Sequence, residues 1–166
     1  MNRRKIALVT LTGLLLACTC AHAAREVQEF EVSVSIPTSS FHVLPADPGW
    51  ISREQRLPWS LLNSTLGGLR KDFDVKNEGG AIEAQLDGVA YLSSGESRHD
   101  INLQVVFNGR VLKVGEAVEV VSSVDAKQGR RVLLEITPQV PDDGIYKPGN
   151  YFGNVNMMFN AVLPGA

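Results

Sequence analysis

The stretch INLQVVFNGRVLKV, residues 101–114, decides the class of fold. In its first half, apolar residues occupy every second position: Ile101, Leu103, Val105 and Phe107. Such alternation places them on one face of an extended strand. Asn108 and Gly109 follow, and both tolerate the positive φ that a two-residue type I′ turn requires. We therefore predict a β-hairpin with one apolar face.

The pattern continues on both sides of this hairpin. RRVLLEITP (130–138) and FHVLP (41–45) are predicted strands, and YFGNVNMMFNAVL (151–163) is a long terminal strand. On that strand one face carries Tyr151, Gly153, Val155, Met157, Phe159, Ala161 and Leu163. DFDVKN (72–77) and AIEAQLDGVAYL (81–92) are predicted to pair across their glycine turn.

About seven or eight strands at regular spacing, with no predicted helix, indicate an all-β protein. The favoured architecture is an immunoglobulin-like β-sandwich. In EAVEVVSSV (116–124) the pattern does not separate helix from strand.

The N-terminal residues have the pattern of an export signal. Arg3, Arg4 and Lys5 precede an uncharged apolar run, and the small residues Ala21 and Ala23 match a cleavage site. We predict a signal peptide over residues 1–23. A second processing route stays open, because LLAC would make Cys18 the lipidated first residue of a lipoprotein.

The exported chain is predicted to contain no disulfide, because Cys18 and Cys20 both lie in the signal segment. Removing that segment also removes three of the 16 basic residues and leaves the 18 acidic residues in excess. An acidic balance argues against a nucleic-acid partner.

Motifs for catalysis, metals or cofactors are not found. His42 and His99 lack metal-ligand spacing, and there is no phosphate-binding loop or nucleophile elbow. Asp142-Asp143-Gly144 is predicted to be a turn rather than a calcium loop. Trp50 and Trp59 are open to two interpretations: binding aromatics, or side chains that cover one end of the sandwich. The sequence predicts neither an enzyme nor a cofactor.

A second alternating segment, EFEVSVSI (29–36), comes soon after the predicted cleavage site. One side carries Phe30, Val32, Val34 and Ile36, and Pro37 ends the run. In an arbitrary exported β-protein such a segment is the first strand of its own sandwich. The residues alone do not exclude that interpretation.

The two ends of the chain resemble the major subunits of alternate chaperone–usher fimbriae, of the colonisation-factor and coli-surface-antigen type. KPGNYFGNVNMMFNAVL is similar to their closing strand, and the match is carried by Gly149, Asn150, Tyr151, Gly153 and Val155. EFEVSVSIP is similar to their N-terminal extension. The fragments PADPGW, LPW, FDVKNEGGAIEAQL and VVFNGRVL resemble the middle of the family.

This resemblance implies an incomplete immunoglobulin-like domain (38–166) that is finished by a strand donated from a neighbouring subunit. The donor would be the extension (24–37), with contact residues Phe30, Val32, Val34 and Ile36. The acceptor groove would include Tyr151, Val155, Met157 and Phe159. Burying four such donor side chains contributes about 6–12 kcal/mol before ordering costs.

The implied partners are identical subunits in a head-to-tail polymer, a periplasmic chaperone, an outer-membrane usher and a tip adhesin. The implied destination is a fimbria on the cell surface, reached through the periplasm, where it supports cell adhesion. Two rival hypotheses stay open. One is a periplasmic or lipid-anchored β-sandwich binding protein that folds as a complete monomer. The other is a secreted hydrolase, which no sequence motif supports.

Overall fold

The computed structural model of the chain describes residues 40–163. The predicted signal peptide (1–23) and the predicted donor segment (24–37), with Phe30, Val32, Val34 and Ile36, lie outside those residues. Within them, no helix is both long and apolar enough to cross a membrane.

The described strands are β1 (Phe41–Pro45), β2 (Trp59–Ser60), β3 (Thr65–Leu66), β4 (Leu69–Asn77), β5 (Ile82–Leu86), β6 (Tyr91–Leu92), β7 (Ile101–Phe107), β8 (Arg110–Val111), β9 (Val118–Val121), β10 (Arg130–Pro138) and β11 (Met157–Ala161). One sheet has the order β1-β4-β10-β7-β6, with β8 also beside β7. The second sheet has the order β11-β5-β9, and β2 and β3 form a separate hairpin. The predicted all-β class is confirmed.

The hairpin predicted over residues 101–114 is also confirmed. β7 and β8 pair around Asn108 and Gly109, whose φ angles are 48° and 76°. The Asn108 side chain has a further role, because its Nδ2 donates to the carbonyl oxygen of Val120 in β9 at 2.6 Å. This turn residue thereby ties the first sheet to the second.

The core lies between the inward faces of the two sheets. β10 is central in the first sheet and pairs with β4 and β7 along most of its length. Its alternate residues Val132, Leu134 and Ile136 are buried, as the alternation predicts. The remaining core side chains come mainly from β4, β5, β7 and β9, and they include Phe73, Val75, Ile82, Ala84, Leu86, Val105, Phe107, Val120 and Val121.

The predicted pairing of β4 with the segment after the glycine turn is wrong. The two strands lie in different sheets, and Glu78-Gly79-Gly80 carries the chain from one to the other. Asn77 fixes this crossing. Its Nδ2 donates to the carbonyl of Ala81 at 2.7 Å, and its Oδ1 accepts from the amide of Gly79 at 3.0 Å. A buried amide satisfied in this way holds a sharp connection that apolar alternation does not reveal.

The prediction of a fold without helices is wrong in one place. The ambiguous segment 116–124 contains strand β9, and helix α1 (Ser123–Gln128) begins directly after it. Ser122 caps the helix by accepting a hydrogen bond from the amide of Asp125, and Gly129 with φ 76° ends it. A short 3₁₀ turn covers Ser97–His99.

The predicted terminal strand is too long. Only Met157–Ala161 pair with β5, while Phe152 forms an isolated bridge with Ser93 beside the first sheet. Between these two points the chain crosses from one sheet to the other. Gly153 lies at the crossing, where a Cβ would collide with the carbonyl oxygen of Tyr91. Side-chain alternation alone cannot predict this close approach of two backbones, which occurs where the chain leaves the first sheet.

Candidate subunit interface

Strand β11 lies at one edge of the second sheet. It pairs with β5 so that Met157 faces Leu86, Phe159 faces Ala84 and Ala161 faces Ile82. No other strand among residues 40–163 pairs with it. The outer side of β11 is thus a place where a further strand can add backbone hydrogen bonds.

Burial differs sharply across this pair of strands. Leu86, Ala84 and Ile82 are between 0% and 5% exposed. Their partners on the same face, Met157 and Phe159, are only half-buried although they pack against the core. The core-facing side chains are therefore less completely buried in β11 than in β5.

The first sheet shows the same change from β4 to β1. Phe41 and Val43 are half-buried, whereas their partners in β4, Asn77 and Val75, are almost completely buried. Both Phe41 and Val43 pack against the core. They belong to the strand at one end of the first sheet, as Met157 and Phe159 do in the second.

The strands β1 and β11 border the same side of the sandwich. Ser40, directly before β1, accepts a hydrogen bond from the amide of Glu78 at 2.7 Å. Leu163, two residues after β11, lies 3.3 Å from the position of a Cβ at Gly79. Both contacts are with the connection between β4 and β5. We call the half-buried apolar residues that pack against the core from these two edges the edge strip: Phe41, Val43, Val155, Met157 and Phe159.

A row of aromatic rings connects the centre of the core to the edge strip. The ring of Trp50 lies 5.9 Å from that of Phe73, and the rings of Phe73 and Phe107 are 5.5 Å apart, both edge-on. The last ring is that of Phe159, at 4.9 Å from Phe107. Trp50 is 9% exposed and thus covers the core at the other end of the row.

The predicted groove residues are only partly brought together. Met157 and Phe159 lie in β11, and Val155 precedes the strand but packs against the same core. Tyr151 lies at the crossing from the first sheet, where its hydroxyl donates to the carbonyl of Lys147 at 3.0 Å. Phe41 and Val43 were not among the predicted site residues, although the alternation in FHVLP marks them as one face of a strand.

Strand β11 itself carries no charged side chain. The chain has none between Asn150 and Leu163. On the outer face of the first sheet, by contrast, the guanidinium of Arg131 makes two hydrogen bonds, of 2.8 and 2.9 Å, to the carboxylate of Asp74. This contact holds the pKa of Asp74 below its ordinary value and raises that of Arg131. An uncharged edge strand lacks the side chains by which proteins discourage strand addition.

The other candidate residues lie in turns and make contacts with neighbouring side chains and backbone. Asp142–Gly144 forms a turn, in which Asp143 accepts from the amide of Ile145 and pairs with Lys147 at 2.6 Å. Both contacts lower the pKa of Asp143, the lysine first. His99 Nδ1 lies 3.4 Å from a carboxylate oxygen of Glu96. In the part of the chain that the structure describes, no group of three or more His, Cys, Asp and Glu residues is arranged to hold a metal ion.

The chain matches one protein-family model and is similar to several solved structures. The family model of the CS1 type fimbrial major subunit matches residues 26–160. Among solved structures, the chain is similar to the CooA pilin subunit from enterotoxigenic Escherichia coli, with a TM-score of 0.60 and 16% sequence identity over 73% of this chain and 86% of that one. At this identity the likeness shows the fold alone. No curated protein matches the chain.

Proposed function

The chain belongs to the CS1 type fimbrial major subunits, and on that premise we propose that its subunits polymerise by donor-strand exchange. As a member of this family it is a pilin, a structural subunit of a fimbria on the cell surface. In the proposed reaction, residues 24–37 of one subunit extend from its body and complete the sandwich of the next. Repeated head to tail, this contact builds an open filament, because it does not close on itself.

The observation that carries the proposal is the half-burial of Phe159. Its ring packs against Phe107, which is completely buried, yet it belongs to an edge strand that pairs only with β5 among the described residues. A donated strand beside β11 would give backbone hydrogen bonds to that edge. It would also bring apolar side chains over the edge strip, which supplies both affinity and specificity.

The segment EFEVSVSI matches this requirement. Phe30, Val32, Val34 and Ile36 alternate with polar residues, so one face of the strand would cover the edge strip while the other stays in water. Neither glycine nor proline interrupts Phe30–Ile36, and a continuous ladder of hydrogen bonds requires this.

The same chemistry implies the partners of the subunit before assembly. An uncovered apolar edge promotes aggregation, so a periplasmic chaperone would cover the groove until an outer-membrane usher replaces it with the next donor strand. The signal peptide over residues 1–23 would bring the chain to that compartment. A tip adhesin would end the filament, and the finished fimbria would support cell adhesion.

Substitutions on the two faces of the donor segment test the exchange. Val34→Asp places a charge on the apolar face, and Ser33→Asp places the same charge on the polar face one residue away. We expect cells with the first variant to display no fimbriae by electron microscopy, because an unpaired carboxylate cannot be buried in the groove. Cells with the second should display them as the unsubstituted chain does.

Normal fimbriae on the Val34→Asp cells would contradict the proposal. The segment 29–36 would then be a strand of its own subunit or a solvated tail, and the polymer would be held by other surfaces.

A further inference from the structure

The hairpin of β2 and β3 presents a second apolar surface, which shares no residue with the edge strip. Its tip residues Leu61 and Leu62 are 87% and 93% exposed, and Trp59 at its base is 45% exposed. All residues from Leu57 to Leu69 are uncharged, in a chain of which 20% is charged. Charge depletion together with exposed aromatic and leucine side chains is typical of the centre of a protein interface.

The hairpin has a defined structure that holds these side chains outward. Trp59 pairs with Leu66, and Ser60 pairs with Thr65. Ser64 adopts a φ of 52°, which closes the turn. The indole of Trp59 packs edge-on against Tyr146, with ring centroids 5.7 Å apart. The two leucines at the tip therefore stay exposed while the base of the hairpin is fixed to the body.

The hairpin lies at the end of the sandwich opposite to the point where the donor segment enters the body. It leads into Leu69, the first residue of β4, and Gly68 packs tightly against the carbonyl of Ile136 there. Ser40 contacts Glu78, directly after the last residue of β4. The nine residues of β4 thus separate the two features.

We propose that Leu61, Leu62 and Trp59 form a second contact between neighbouring subunits, and that their occupant is the body of a second copy of this chain. The inference rests on the proposed strand exchange. Only Pro37, Thr38 and Ser39 separate Ile36 from Ser40, so the donor's body stays within about 14 Å of the end of its strand. A second body is therefore held against the acceptor at one end of the groove.

The distribution of charge also favours a second copy of the chain as the occupant. Identical chains with a net negative charge repel each other. A surface of thirteen consecutive uncharged residues removes this cost where two copies meet. The contact places the exit of the donated strand at the hairpin end of the acceptor, so that the Ser40 end of one body follows the hairpin end of the next.

A photocrosslinking experiment on assembled fimbriae tests the contact. Leu62→Cys is introduced into the full chain, and fimbriae sheared from the cells are labelled with benzophenone maleimide and irradiated. Val89→Cys, at a position that is 66% exposed but outside the hairpin, is the matched control. We expect a covalent dimer of the chain from the first variant and its absence from the second, with mass spectrometry locating the link on the second copy.

Asn63→Cys, at the same tip but outside the apolar pair, provides a second probe position if Leu62→Cys reduces the yield of fimbriae. Absence of the dimer from both probes would overturn the proposal. So would crosslinks confined to added phosphatidylcholine vesicles or to another protein, because the tip would then face a membrane or a different partner.

The outcome is separable from that of strand exchange. If Val34→Asp abolishes the fimbriae but fimbriae with Leu62→Cys give no crosslinked dimer, only the hairpin contact is refuted. If cells with Val34→Asp still display fimbriae, the proposed strand exchange is refuted, whether or not the Leu62→Cys chain crosslinks to a second copy.

Discussion

The rings of Phe107 and Phe159 are 4.9 Å apart at an angle of 59°, yet only Phe107 is completely buried. Phe107 belongs to β7 in the first sheet, and Phe159 belongs to the edge strand β11 of the second. The pair therefore joins the fully packed core, at Phe107, to its incompletely covered edge, at Phe159. A donated strand would complete it.

The contribution of Phe159 is measurable in a self-complemented chain, in which EFEVSVSIP follows Ala166 through a flexible linker. Phe159→Ala in this chain should lower the free energy of unfolding in urea by about 3–5 kcal/mol, the usual cost of removing a packed phenylalanine. Met158→Ala is the control, because Met158 lies on the other face of β11 and is 42% exposed. Equal effects of the two substitutions would show that Phe159 is not part of a completed core.

The crossing at Gly153 predicts a specific sensitivity. In the self-complemented chain Gly153→Ala should lower the melting temperature strongly, because a Cβ would collide with the backbone carbonyl of Tyr91. Gly88→Ala is the control, since a Cβ there meets no atom within 4 Å. Differential scanning calorimetry of both variants tests the comparison, and an unchanged transition for Gly153→Ala would refute the described crossing.

The two roles of Asn108 can be separated by two substitutions. Asn108→Gly keeps the positive φ but loses the hydrogen bond to Val120, and it should cost about 1–3 kcal/mol because a part-buried carbonyl loses its donor. Asn108→Ala loses the hydrogen bond and strains the turn as well, so it should be the more destabilising variant. Urea denaturation ranks them, and a more stable alanine variant would contradict the assignment.

The ion pair of Arg131 and Asp74 predicts a dependence on pH. The hydrogen bond from Arg131 lowers the pKa of Asp74 in the folded state below its ordinary value of 3.8. The pair therefore stabilises the fold fully above the unfolded pKa, and its contribution is lost as the pH falls through the folded pKa. Arg131→Gln should lower the melting temperature of the self-complemented chain slightly at pH 7.

At acid pH, below the folded pKa of Asp74, the melting temperatures of the Arg131→Gln chain and its parent should converge. Arg110→Gln, at an exposed position in β8, is the matched control and should show a smaller difference at pH 7. A difference for Arg131→Gln that grows toward acid pH would contradict the expected sign.

Local patterns predicted most of the strands. The alternation of Ile101, Val105 and Phe107, and the φ requirement at Asn108 and Gly109, depend only on neighbouring residues. The same holds for β10 and β1. These predictions are confirmed because the side-chain period of a strand and the conformation of a two-residue turn are local properties.

Some features that the sequence did not reveal depend on contacts between distant residues, and others depend on local hydrogen bonds that apolar alternation does not mark. The crossing before β11 depends on Gly153 meeting Tyr91, whereas the sheet change after Asn77 depends on an amide that bonds to Ala81, four residues further on. The helix after Val121 follows from the cap at Ser122, a signal that the apolar run beside it obscured. Phe41 and Val43 join the edge strip only because the fold brings β1 to the side of β11.

The most direct test of strand exchange is a pair of thermal melts. One chain lacks residues 24–37, and the other is the same body with EFEVSVSIP returned after Ala166. We predict that the first is unstable or aggregated, and that the second is a monomer with a far higher melting temperature. A body that is already a stable monomer, and gains nothing from the returned segment, would contradict the account.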